Sequence, residues 1–138
     1  MARTAILWGA GLLLAVAGTG LFLAIRSNSA ELAGLEDAGR KFLTALGSGD
    51  GRDACALMTR TARSEFAAAQ HRNTCPEAVQ ALVGPLSATE RRELADSYDS
   101  RFFAKDGLGH VNVRHNALQI SGLLLSKADG TWLVTDWR

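Results

Sequence analysis

The side chains best equipped for chemistry are the two cysteines of the chain, Cys55 and Cys75, with His71 between them in DACALMTRTARSEFAAAQHRNTCPEA. Three kinds of chemistry are open to this trio. Zinc would take all three as ligands, but the spacing is not that of a paired C-x-x-C knuckle and no fourth ligand stands nearby. A thiolate nucleophile with a histidine base needs an oxyanion-stabilising turn beside it, and neither cysteine has one. A disulfide needs only an even count and an oxidising compartment. It would join two helices across 19 intervening residues and contribute about 3 kcal/mol through the chain entropy it removes. The disulfide is the expected state; no metal and no cofactor are assigned.

The compartment follows from the amino-terminal part of the chain. Residues 5–25 read AILWGAGLLLAVAGTGLFLAI, with no charge and Thr19 as the only polar side chain. As a helix this run is about 31 Å long, the thickness of a hydrocarbon core. It is apolar all round, unlike the striped helices of soluble domains. A cleaved signal peptide is the alternative, because Ala15-Val16-Ala17 resembles a small-x-small site. Cutting there would leave GTGLFLAI at the new terminus, and the run exceeds the usual signal core. Residues 1–26 are therefore read as a transmembrane signal-anchor, with Trp8 near one interface. Residues 27–35 are a linker and the start of the first helix. Residues 36–138 are an extracytoplasmic domain, the amino terminus lying inside.

The chain has 138 residues and a formal net charge of +1. Its longest basic runs are pairs such as Arg91-Arg92, so a nucleic-acid partner is not expected. Arg60, Arg63, Arg91 and Arg92 read as solvated helix faces; contact with anionic lipid is their functional alternative.

The elements that position the cysteines follow from periodicity. Leu32, Leu35, Gly39, Phe42 and Leu46 recur at helical steps, and GSGDG at 47–51 ends that helix. Asp50 or Asp53 can cap a second helix, and Thr59 or Thr61 a third carrying Phe66. Thr74-Cys75-Pro76-Glu77 and Ser87-Ala88-Thr89-Glu90 are capping boxes. Beyond Ser97 the pattern turns to strands. HVNVRHN alternates, which puts Val111, Val113 and His115 on one face and His110 and Asn112 on the other. Residues 117–127 and the segment TWLVTDW read as strands joined at Asp129-Gly130. In the last strand Trp132 and Val134 share one face, Leu133 and Trp137 the other. Helices first and antiparallel strands after is an α+β order. Apolar residues on both faces of the last hairpin predict that its second face is covered, by a homodimer partner, a ligand or another envelope protein.

An apolar leader, then FLTALGSGDGRDACALMT, then a closing LLLSKADGTWLVTDW with its G-x-W-x-V pattern, resembles small membrane-anchored proteins of the nuclear-transport-factor-2-like superfamily, of the actinobacterial type. The resemblance covers residues 36–137. It implies a cystatin-like cone of curved antiparallel sheet around the first helix. That fold serves ketosteroid isomerase and dehydratases as well as non-catalytic envelope parts, including a type IV secretion component and Mce-associated proteins, so fold alone does not choose a function. Isomerase-like catalysis would require a carboxylate base and hydroxyl or acid donors inside the cone. Tyr98, Asp99, His110 and His115 are the possible polar residues of such a cavity. Asp136, two residues from the end, reads as a surface carboxylate. The isomerase set cannot be placed on these positions one by one, so no catalytic residue is assigned. The expected function is a non-catalytic binding or assembly module of an envelope complex, meeting a protein partner or a second copy through an open sheet face. A small-molecule binder or isomerase-like enzyme is the alternative, and a secreted factor the further one.

Overall fold

The structure is a computed structural model and describes residues 29–138. The apolar run at 5–25, with the anchor expected of it, lies outside the described residues. Among the described residues no helix is long and apolar enough to cross a membrane. Residues Leu32–Arg138 form one compact unit.

The described chain is α+β, with five helices before four strands. Helix α1 covers 29–48. It is followed by α2 (Gly51–Ala56), α3 (Arg60–Ala69), α4 (Cys75–Val83) and α5 (Ala88–Ala95), then β1 (Tyr98–Lys105), β2 (Leu108–Val113), β3 (Gly122–Ala128) and β4 (Thr131–Trp137). Leu35, Phe42 and Leu46 form the buried stripe of α1. Its solvent side carries the ion pairs Glu36–Arg40 and Asp37–Lys41 at i, i+4 spacing. Residues 29–35 are already helical, where a polar linker was expected to run into the helix; Ala30, Leu32, Ala33 and Leu35 are good helix formers.

The helix starts fall where side-chain oxygens can satisfy free backbone N–H groups. Asp50 accepts from the Asp53 amide and Thr59 from the Ala62 amide. Thr74 with Glu77, and Ser87 with Glu90, close complete capping boxes. Both tight hairpins turn on Asp-Gly: Asp106 and Gly107 have φ of 52° and 73°, Asp129 and Gly130 of 50° and 77°. Positive φ at both central residues gives the twist that a two-residue hairpin requires.

The strands form one antiparallel sheet in the order β1-β2-β3-β4. Its inner face is packed with Val111, Val113, Leu123, Leu125, Trp132 and Val134, which join Leu35, Phe42, Leu46 and Met58 in the core. The free side of β4 is joined by residues 57–59. The Thr59 amide donates to the Val134 carbonyl at 2.9 Å, and the Val134 amide donates to the Leu57 carbonyl at 2.8 Å.

Two strand expectations are corrected. The strand expected at 117–127 begins only at Gly122. Before it the chain wraps around Asn116, which is buried. The Asn116 amide nitrogen donates to the Arg114 and Ile120 carbonyls, and its oxygen accepts from the Leu118 and Ile120 amides. Four such bonds hold residues 114–121 as a loop. In β4, Leu124 pairs with Asp136 but Leu125 pairs with Val134. Thr135 is thus the extra residue of a bulge, and its hydroxyl donates to the Leu124 carbonyl at 3.1 Å. The bulge reverses the alternation after it. Trp137 lies on the inner side with Trp132 and Val134, against Phe42 and Phe66, and not with Leu133.

Candidate functional site

The two cysteines come together. Cys55, on α2, and Cys75, the first residue of α4, are joined as a disulfide with a Cα–Cα distance of 6.1 Å. Both are buried. The helices approach closely here because Gly51 has no side chain: a Cβ would lie 2.9 Å from the Pro76 backbone. The Cys75 Sγ also touches the Met58 Sδ at 3.6 Å. A bonded pair has no thiolate to offer, so neither zinc ligation nor nucleophilic attack is open to it. His71 is exposed beyond the end of α3.

The four polar residues named for a cavity occupy four different surroundings. Tyr98 starts β1 on the inner side, half-buried, with the Arg40 guanidinium 5.2 Å from its ring centroid. Burial raises its pKa above the ordinary value, and the Glu36 carboxylate raises it further. Asp99 pairs with Arg101 at 2.7 Å. Hydrogen bonds from that guanidinium lower the Asp99 pKa. His110 lies on the opposite side of the sheet from Tyr98, because Val111 and Val113 face the core and His110 alternates with them. His115 lies beyond β2 in the exposed loop. It borders a surface depression of about 670 Å³ with Arg92, Ser97 and Arg114. The space between α1 and the sheet, where a cavity was in question, is filled by Leu35, Phe42, Val111, Leu123, Leu125 and Val134. Phe66 and Trp132 are buried and Phe102 partly so, whereas Phe103 points outward.

That outward position reveals the more distinctive surface. The register aligns Phe103, His110, Leu124 and Asp136 in one row across the sheet. A second row holds Lys105, Leu108, Ser126 and Leu133. Phe103 is 63% exposed and Leu108 65%, the large apolar residues that stand most clear of the fold. Leu124 and Leu133 are half-buried. The Phe103 and His110 rings stack, with centroids 5.4 Å apart and planes 20° apart. His110 lies low over the sheet because Gly122 leaves it room: a Cβ there would be 2.7 Å from Nε2. Its Nδ1 is buried without a hydrogen-bond partner, which is costly unless something supplies one. An apolar strip rimmed by Lys105, Asn112, Ser126, Thr135 and Asp136 is the composition of a docking face.

The sequence pointed to this face through the Leu123-Leu124-Leu125 run and Leu133. It did not point to Phe103 and Leu108. Their signal was available in Phe102-Phe103, where adjacent aromatic residues in a strand must face opposite ways. A separate groove of about 510 Å³ lies between α1 and α2, with Ala45 and Leu57 on its wall and Arg40, Lys41, Asp50 and Asp53 around it. Among the described residues no cluster of three or more His, Cys, Asp or Glu side chains is placed to hold a metal ion. No protein-family model, no curated protein and no solved structure matches the chain.

Proposed function

We propose that the chain is a single-pass, membrane-anchored binding module whose domain lies outside the cytoplasm. It acts without catalysis, as an assembly or accessory part of an envelope complex, by docking a protein partner or a second copy on the outer face of the sheet. The cone arrangement of the nuclear-transport-factor-2-like superfamily is part of the same reading; helices ahead of a four-stranded antiparallel meander support it.

The observation that carries the proposal is the row Phe103–His110–Leu124, apolar and aromatic on the side of the sheet facing away from the core, with the buried Nδ1 of His110 lacking a partner. The disulfide supports the address, since such bonds persist in oxidising compartments. The filled space beneath the sheet weighs against the isomerase-like alternative, which needs an open apolar pocket around its acid and base.

The test is assembly of the full-length protein in detergent micelles, read by light scattering and by pull-down from solubilised membranes. Phe103→Asp with Leu124→Asp is expected to abolish an association that the parent chain shows and to leave the fold intact. A parent chain that is monomeric and recovers no partner, or an association indifferent to both substitutions, overturns the proposal.

A further inference from the structure

A cleft at the margin of the sheet has a lining of a different kind. Four residues of α3, Ala62, Glu65, Phe66 and Ala69, fall at i, i+3, i+4 and i+7 and so share one side of the helix. They line a cleft of about 260 Å³ whose other wall is Thr135, Asp136 and Trp137 of β4. Ala62 and Ala69 are too small to fill it. The buried Phe66 ring and the half-buried Trp137 indole, with centroids 5.0 Å apart, make its wall aromatic.

The charges around the cleft have one sign. Glu65 and Asp136 stand on opposite walls, both exposed, and among the described residues no basic side chain lines the space between them. Among the described residues Glu65 has no hydrogen bond and no ion pair. Asp136 accepts from the Trp137 amide through Oδ1 at 2.9 Å. That amide points to the margin of β4, because the next one, of Arg138, donates across the sheet to the Gly122 carbonyl at 3.0 Å and successive amides alternate. The Asp136 carboxylate is thus held toward the cleft. The last turn of α3 borders the cleft through Ala69 and Gln70 and carries no basic residue, so the partial negative charge of that helix end is uncompensated within the helix. His71 and Arg72, next in the chain, line a separate depression with Asn73 and Glu77.

Two carboxylates, a helix C-terminus and an aromatic wall all favour an organic cation. The acceptors narrow its kind. They converge from two walls as separate points, which suits the compact ammonium with its three donors better than the flat fork of a guanidinium. A quaternary ammonium has no N–H to give them. The space is smaller than the roughly 300–1,000 Å³ of sites that enclose a whole small molecule, so it fits a headgroup with a short stem.

We propose that the cleft between α3 and β4 binds a primary alkylammonium group, the ammonium held by Glu65 and Asp136 and the alkyl stem lying along Phe66 and Trp137. A free alkylamine and a lysine side chain of another protein share this chemistry. The site uses neither Phe103 nor His110 nor Leu124, so it is independent of the docking reading above.

The experiment uses the full-length chain in nonionic micelles at low salt, with the disulfide kept oxidised. The Trp137 indole N–H, identified by its loss in Trp137→Phe, is followed by nitrogen-15 NMR as n-butylammonium chloride is added. A saturable shift is expected. Glu65→Gln and Asp136→Asn are each expected to raise the dissociation constant about threefold, and together about tenfold, the scale of exposed charge pairs. Sodium chloride, tetramethylammonium chloride and n-butanol at the same concentrations are expected to give no saturable shift. Saturation by tetramethylammonium overturns the need for N–H donors, and saturation by n-butanol overturns the need for charge. A butylammonium response no different from that to sodium chloride, or unchanged in both variants, overturns the site. The parent titration against these comparison probes needs no variant, so a substitution that fails to fold leaves the test decisive. Nα-acetyl-lysine methylamide separates the sources: saturation as tight as that of butylammonium supports a lysine side chain, and no saturation overturns that source in favour of a free amine.

Discussion

The Trp137 ring meets the Phe66 ring edge-on, with centroids 5.0 Å apart and planes at 72°, and the bulge at Thr135 is what brings them together. Without that residue Trp137 would fall on the outer side of the sheet. Deletion of Thr135 is expected to turn the partly buried indole outward, shift its emission to the red and destabilise the domain by about 0.5–3 kcal/mol, the usual range for a single change. Fluorescence and urea unfolding of the deletion variant check this. Unchanged emission would show that the indole position does not depend on the bulge.

The Cys55–Cys75 disulfide closes a loop of sequence separation 20. Replacing both cysteines by alanine is expected to cost about 3 kcal/mol. The measurement is the shift in urea midpoint between the parent and the double variant, with the parent also unfolded under reductant. Equal midpoints would show that Gly51–Pro76 packing holds α2 on α4 without the bond.

Gly109 and Gly107 provide a contrast within one hairpin. Alanine at Gly109 must displace Leu35, which is fully buried, and an overpacked core costs about 1–3 kcal/mol. Alanine at Gly107 meets nothing within 4 Å, but its φ of 73° is unfavourable for a side chain, a cost of about 1 kcal/mol. Gly109→Ala is therefore expected to be the more damaging of the two in thermal unfolding.

Tyr98 is the only tyrosine in the chain, so absorbance in alkali reports it alone. Its pKa is raised in the folded state by burial and then by Glu36. The folded state thus holds the proton longer than the unfolded one. That contribution to stability is complete below pH about 10 and is lost as pH rises through the raised value. Glu36→Gln is expected to move the transition back toward ordinary tyrosine.

Asp99 shows the opposite sign. Hydrogen bonds from Arg101 lower its pKa, so its contribution is present above the ordinary carboxylate range and fades as pH falls through the lowered value. In carbon-detected titration, Arg101→Ala is expected to return Asp99 to the ordinary range.

The features readable in the sequence are those decided within a few residues. The capping boxes at Thr74 and Ser87 are complete, the Asp129-Gly130 turn carries the required φ, and the stripe of α1 is buried. Parity along the strands was less legible. It depends on Asn116 binding four backbone groups and on the single extra residue Thr135, and neither leaves a periodic trace. In β1 the register advances four residues from Tyr98 to Phe102 while β2 moves two, from Val113 to Val111. Such an irregularity breaks any count of alternating positions. That is why a cavity set of Tyr98, Asp99, His110 and His115 looked plausible along the chain, although Tyr98 and His110 lie on opposite sides of the sheet.

The backbone bonds between residues 57–59 and Val134 also bear on how the protein survives crowding. An open strand margin invites further chains to add on, the route to fibrils. Here one margin is interrupted at Val134 by the chain itself. The other, β1, is interrupted by its irregular register and bears the Asp99–Arg101 pair and Lys105. The sheet can therefore expose a greasy face to a neighbour without seeding endless growth along its hydrogen-bonding direction.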